Sequence, residues 1–157
     1  MKWNDWLEQW GMTSLKISVP FLDMEWRPKD EDKNAAWEMY IELLTRITTQ
    51  PISEDQGDEE TALKSIYALF GITRTIITEH GRDCLEFTKI AVVVLNQIIR
   101  PFTSKWHTHS VAGAFQNTEQ AQAFRIELRR VQEQLRIYTK MLAQMAGVED
   151  LTDLEES

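Results

Sequence analysis

Residues 118–146 read TEQAQAFRIELRRVQEQLRIYTKMLAQMA. Ala121, Phe124, Leu128, Val131, Leu135, Tyr138, Leu142 and Met145 follow one another at alternating spacings of three and four. That is a heptad seam carried through the whole stretch, which suits a helix buried along one face and does not suit a strand. Thr118 stands where a hydroxyl can cap the first turn. Gly147 stands where a left-handed residue commonly ends a helix.

Working outward, three more stretches repeat the pattern. Residues 30–49 place Trp37, Tyr40, Ile41, Leu44 and Ile47 on one face, with Asp30, Glu31 and Asp32 at the start, where the helix macrodipole favours acids. Gln50 and Pro51 are expected to end that helix. Residues 58–79 bury Leu63, Ile66, Tyr67, Phe70, Ile76 and Ile77 until His80 and Gly81 close the helix. Gly71 in its interior costs about 1 kcal/mol against alanine and would be explained by close helix contact. Residues 83–100 are apolar around most of the circumference and should be the most buried. Pro101 lacks the amide proton of the helical ladder, so this helix should stop or kink near Arg100.

The fold expected is all-α: an antiparallel bundle of about four long helices crossing near 20°, preceded by a tryptophan-rich short helix and an extended arm. Residues 1–28 form the arm, 29–147 the bundle and 148–157 an acidic, solvated tail. In the arm, Trp3, Trp6, Leu7 and Trp10 have helical spacing, whereas Leu15, Ile17 and Val19 alternate as a strand would. That strand has no sheet to join, and either lies across the bundle or pairs with another chain.

With 157 residues the chain is the size of one domain. Its net charge of −8 disfavours broad nucleic-acid binding, and a single cysteine, Cys84, rules out an intrachain disulfide and cysteine-rich zinc modules. The N-terminus lacks the uninterrupted apolar core of a signal peptide, and the longest apolar run is too short and too polar for a membrane span, so a cytoplasmic protein is expected.

The ten residues RPFTSKWHTH at 100–109 are the densest chemical stretch. Arg100, Thr103, Ser104, Lys105 and His107 could hold an anionic group against Trp106 as a stacking wall. Equally, Phe102 and Trp106, four apart, could plug the end of the bundle. His107 and His109 have no third ligand nearby, and neither metal nor cofactor is expected. Cys84 follows His80 by four positions, but Gly81 between them should break any nucleophile–base geometry. Glu38 and Glu42 share a helix face and lack the E-x-x-H partners of a di-metal bundle, so they read as a solvated edge. No catalytic motif is present.

On the last helix, Arg125, Arg129, Arg130, Arg136 and Lys140 make a basic face diluted by Glu127 and Glu133. Ile126, Ile137 and Met141 form a second apolar stripe off the seam. The tryptophan segment could cover that stripe, or Ile126, Arg129, Arg136, Ile137 and Met141 could meet a partner together with Trp3, Trp6 and Trp10. The small acidic bundle with an arginine-, tryptophan- and histidine-bearing corner resembles accessory proteins of bacterial multi-gene systems, a likeness carried by no defined motif. The function expected is a helical protein–protein interaction or adaptor module, self-associating or an accessory subunit. The alternatives are a small-molecule or phosphate-binding sensory domain using 100–109, and nucleic-acid binding through the last helix.

Overall fold

The seam at 118–146 forms one unbroken helix. The computed structural model describes residues 1–46, 49–50 and 58–155, and among these the chain is mostly helical with no β-strand. In order, the helices are α1 (Trp3–Gln9), α2 (Val19–Leu22), α3 (Asp30–Leu44), α4 (Glu59–Tyr67), α5 (Leu69–His80), α6 (Leu85–Val94), α7 (Arg100–Val111) and α8 (Thr118–Ala146). No described helix is long and apolar enough to cross a membrane.

Every seam residue of α8 from Phe124 to Met145 is buried. Its cap is Asn117, one residue before the Thr118 expected: the Asn117 side chain accepts the Gln120 amide at 3.1 Å. Gly147 ends the helix in the left-handed region, φ +71°, as its position predicts. α3 packs most extensively on α8 and also touches α5 and α6, while α7 lies against α4 and α8.

Two expectations about helix ends change. α3 stops at Leu44 rather than near 49, and the Thr49 hydroxyl donates to the carbonyls of Leu43 (2.7 Å) and Arg46 (3.2 Å). Ile47 and Pro51 lie outside the described residues. The helix expected at 58–79 is two helices meeting at Ala68, and no described residue lies within 4 Å of a Cβ built on Gly71, so close contact with a described helix does not explain that glycine. Gly81 does close α5, with φ +71°.

The helix does not stop at Pro101. Residues 85–111 stay helical throughout, and the accommodation lies one turn earlier, in a π-helical turn at Leu95–Ile99 where the Arg100 amide reaches back to the Leu95 carbonyl. The wide turn closes one α-helical ladder and opens the next, which puts Pro101 in the first turn of α7, where an amide donor is not needed.

The N-terminal segment contributes tryptophans to the core. Trp3 and Trp6 are fully buried, meet edge to face at 5.3 Å, and belong to the same apolar cluster as the α8 seam. Their indoles donate to Glu86 and Gln144, both at 2.9 Å, and Trp10 donates to Gln144 at 2.7 Å. Val19–Leu22 is a helical turn, not a strand, with Pro20 in its first turn. The extended backbone before it is satisfied by a side chain: the Gln97 carboxamide accepts the Lys16 amide and donates to the Lys16 carbonyl, each at 2.8 Å, standing in for a strand neighbour.

Asp32 is fully buried and ties two helices together. One oxygen accepts the Lys29 amide at 2.8 Å, closing the first turn of α3. The other accepts the buried Phe87 amide at 3.0 Å in the first turn of α6, whose own cap residue, Cys84, supplies no side-chain bond. Cys84 itself is buried and directs its thiol to the Gly81 carbonyl at 3.2 Å.

Residues 148–155 are mostly exposed, as expected of a solvated tail, yet they are tied to the bundle at a few points. The Leu151 amide donates to the Tyr40 hydroxyl at 2.6 Å, Thr152 is buried, and Asp153 pairs with Arg136 (2.7 Å) and Lys140 (2.6 Å).

Candidate functional site

The stretch 100–109 lies within α7, so its consecutive residues sweep the helix circumference instead of lining one site. Thr103 and Trp106 point inward; Arg100, Ser104, Lys105 and His107 are exposed. Trp106 retains 2% of its exposure and packs in an aromatic cluster with Phe102, Phe115 and Phe124, edge to face with Phe124 at 5.2 Å. The geometry is that of the plug. The donors are engaged locally: Arg100 lies 4.7 Å over the Phe70 ring and reaches Asn96, while the Thr103 hydroxyl donates to Ile99 and Arg100 carbonyls. Lys105 and the Trp106 indole both bind Glu127, the indole at 2.6 Å. Burial raises the Glu127 carboxyl, but those two donors outweigh it and hold the group below its usual range. His107 and His109, two apart on a helix, face different sides. Among the described residues no three His, Cys, Asp or Glu side chains group as metal ligands.

The basic face of α8 is similarly occupied. Arg125 binds the buried Glu59 at 3.0 Å, and Arg136 donates to the Thr49 and Thr152 carbonyls as well as to Asp153. Of the second stripe, Met141 is fully buried, Ile137 is partly buried against the core, and Ile126 remains 51% exposed. The stripe is therefore covered at its C-terminal end and open at Ile126. Trp3, Trp6 and Met141 are thus interior residues of this chain, and glutamate at Met141 would disrupt its core before it could split an assembly. Arg129 is exposed beside Ile126.

An unfilled surface exists elsewhere, between α3 and α5. Along α3 the helical spacing brings Trp37, Glu38, Ile41 and Glu42 to one side; along α5 it brings Gly71, Ile72, Thr75, Ile76 and Glu79 to face them, with Ala68 at the end. They enclose an open groove of about 700 Å³. Ile76 is buried at its base, Ile41 and Ile72 are half-buried on its walls, and Trp37 stands 45% exposed at its edge, its ring 5.9 Å from that of Tyr40. Sequence periodicity assigned Trp37 to the core. The core side of α3 is instead the stripe of Ala36, Met39, Tyr40 and Leu43, rotated toward α8, and α5 covers the other flank only in part.

His80 closes one end of this helix pair. Its Nδ1 meets Glu31 at 2.8 Å and its Nε2 meets Glu38 at 2.9 Å, so the imidazole at the C-terminus of α5 bridges two carboxylates on α3. The Glu31 hydrogen bond is the main cause holding His80 above its ordinary pKa; partial burial opposes it and Glu38 adds to it. Because the two carboxylates occupy opposite ring nitrogens, this is a clamp between helices and not a metal site or a nucleophile–base pair with Cys84.

No protein-family model matches the chain, and comparison with curated proteins and with solved structures finds no match. The groove was missed in the sequence, although its parts left traces there. Glu38 and Glu42 stand out as a same-face pair and Gly71 as an unexplained helix glycine; only the packing shows that both border one depression.

Proposed function

We propose that the protein is a helical protein–protein interaction module, an accessory or adaptor subunit, whose docking face is the groove between α3 and α5. The scaffold under this reading is an antiparallel bundle of four long helical segments, closed at one side by the tryptophan segment; the packing of α3 between α8 and α5 supports it. The observation that carries the function is Trp37: an indole left 45% exposed over an isoleucine-walled groove in a chain that buries Trp3, Trp6 and Trp106 almost completely. Large aromatic residues at the mouth of an apolar depression are favoured anchors at interfaces, since they contribute much contact area while fixing few torsions. The cations that would serve an anion pocket at 100–109 or a nucleic-acid face on α8 are largely engaged within the chain, which favours the groove over either.

A photo-crosslinking side chain at position 37, in the cells from which the chain comes, tests this. Crosslinking to one discrete protein from position 37, absent from the same group at the exposed Val111 and absent when Gly71→Leu fills the groove, is the expected result. Equal products from both positions, or none from position 37, would remove the groove as a docking face.

A further inference from the structure

The chemistry of the groove also selects its occupant. We infer that it receives a cationic amphipathic helix of a partner protein, with apolar residues on one face and lysine or arginine on the flanks; this inference rests on the reading of the groove as a docking face. The trough follows α5 from Ala68 to Glu79, which at 1.5 Å per residue is a length of about 17 Å, or roughly three helical turns. Its apolar part is Ile41, Ile72 and Ile76, with the small Ala68 and Gly71 leaving the depth. A row of apolar side chains at i, i+4, i+7 and i+11 of an incoming helix spans about the same length.

Charge decides between occupants. Glu38, Glu42 and Glu79 border the groove, and among the described residues no lysine or arginine lines it. Glu38 already meets His80, and Glu42 meets Arg46 at 2.8 Å, but both carboxylates remain well exposed, and a carboxylate accepts more than one donor. Incoming lysines or arginines find acceptors there. A nucleic-acid backbone or an anionic membrane surface would be repelled by the same rim. A second copy of this chain fits poorly: its net charge of −8 opposes self-docking, and Arg125, Arg136, Lys140, Lys105 and Arg100 are engaged in intramolecular contacts. Gly71 gains a reason in this reading. It costs helix stability, and no described residue lies within 4 Å of a Cβ built there; glycine keeps the trough open.

The test uses the whole protein labelled with 5-fluorotryptophan, the Trp37 signal being identified by its absence in Trp37→Phe. The probes are two designed amphipathic helices of about 18 residues, long enough to hold helical structure. One carries leucines on one face and lysines on the flanks; the other replaces every lysine with glutamate. The expected result is that the lysine peptide shifts the Trp37 fluorine resonance and the glutamate peptide does not. Glu79→Gln should weaken binding by about 1.5- to 5-fold, the worth of one exposed ion pair. Gly71→Leu should abolish the shift while the other tryptophan signals stay in place, and Gly71→Ala, a milder filling, provides a second folded variant. If the glutamate peptide shifts Trp37 equally, or if Gly71→Leu leaves the lysine peptide's effect unchanged, the cationic-helix occupant is overturned. If the lysine peptide fails while crosslinking from position 37 persists, the occupant is wrong and the docking face stands; if both fail, the face falls too.

Discussion

Replacing Asp32 with alanine removes two capping bonds from helices that are far apart in sequence. At α3 the Lys29 amide loses its acceptor at 2.8 Å; it lies near solvent, so the loss is that of an ordinary helix-start bond, about 1 kcal/mol. At α6 the Phe87 amide loses its acceptor at 3.0 Å in a buried setting, and an orphaned buried donor costs about 1–3 kcal/mol. Together the expected loss is about 2–4 kcal/mol, a fall in Tm of about 4–16 °C for a domain of this size. Asp32→Asn keeps one acceptor oxygen and should lose roughly half as much. Urea unfolding gives the total, and amide hydrogen exchange at Phe87 separates the buried bond from the surface one. An Asp32→Ala variant destabilised by less than about 1 kcal/mol, or one in which the Phe87 amide stays as protected as before, would refute the double cap.

Trp106→Ala should cost about 3–5 kcal/mol in chemical denaturation, as truncating a buried core aromatic does, whereas Lys105→Ala should cost less than about 1 kcal/mol because its pair with Glu127 is exposed; the reverse order would return Trp106 to the role of a ligand wall. His80 has its pKa raised in the folded protein, so its stabilising contribution is complete below its unfolded value and is lost as pH rises through the folded one. The stability gap between the wild type and His80→Gln should therefore shrink when unfolding is measured at about pH 9 instead of about pH 6; a gap that widens would contradict the clamp. Tyr40→Phe removes the acceptor of the Leu151 amide and should cost about 0.5–1.5 kcal/mol, with faster hydrogen exchange at Leu151. Unchanged exchange there would mean that the Tyr40 bond does not hold residues 148–155.

Local signals were legible where cause and effect lie within a turn or two of chain. The α8 seam, the glycine endings at Gly81 and Gly147 and the aromatic plug of Phe102 and Trp106 follow from spacing and backbone freedom, which the sequence states directly. The all-helical class follows from the same spacing repeated. Proline shows the limit of such reasoning. Pro101 forbids a regular α-helical bond at its own position, yet a π-helical turn one step upstream lets the helix continue, and that choice belongs to the packing of residues 85–111 as a whole. The candidate site was less legible still. Trp37 and Ile41 do lie on an apolar stripe of α3, but periodicity says only that a face is apolar and not whether another element covers it.

Coverage is a tertiary property throughout this molecule. Two apolar stripes in the sequence met opposite ends: the second α8 stripe is taken into the core at Met141, whereas the α3 flank beside α5 is left as an open groove. In the same way the acids of the final segment read as solvated until Arg136, Lys140 and Tyr40 come within reach of them. The sequence by itself determined that the long segments are helical and that they carry apolar stripes, because those properties arise from neighbours three and four residues away. Tertiary structure alone decided which faces are covered, which carboxylate caps a distant helix and which tryptophan is left exposed, because each depends on where segments separated by tens of residues come to rest.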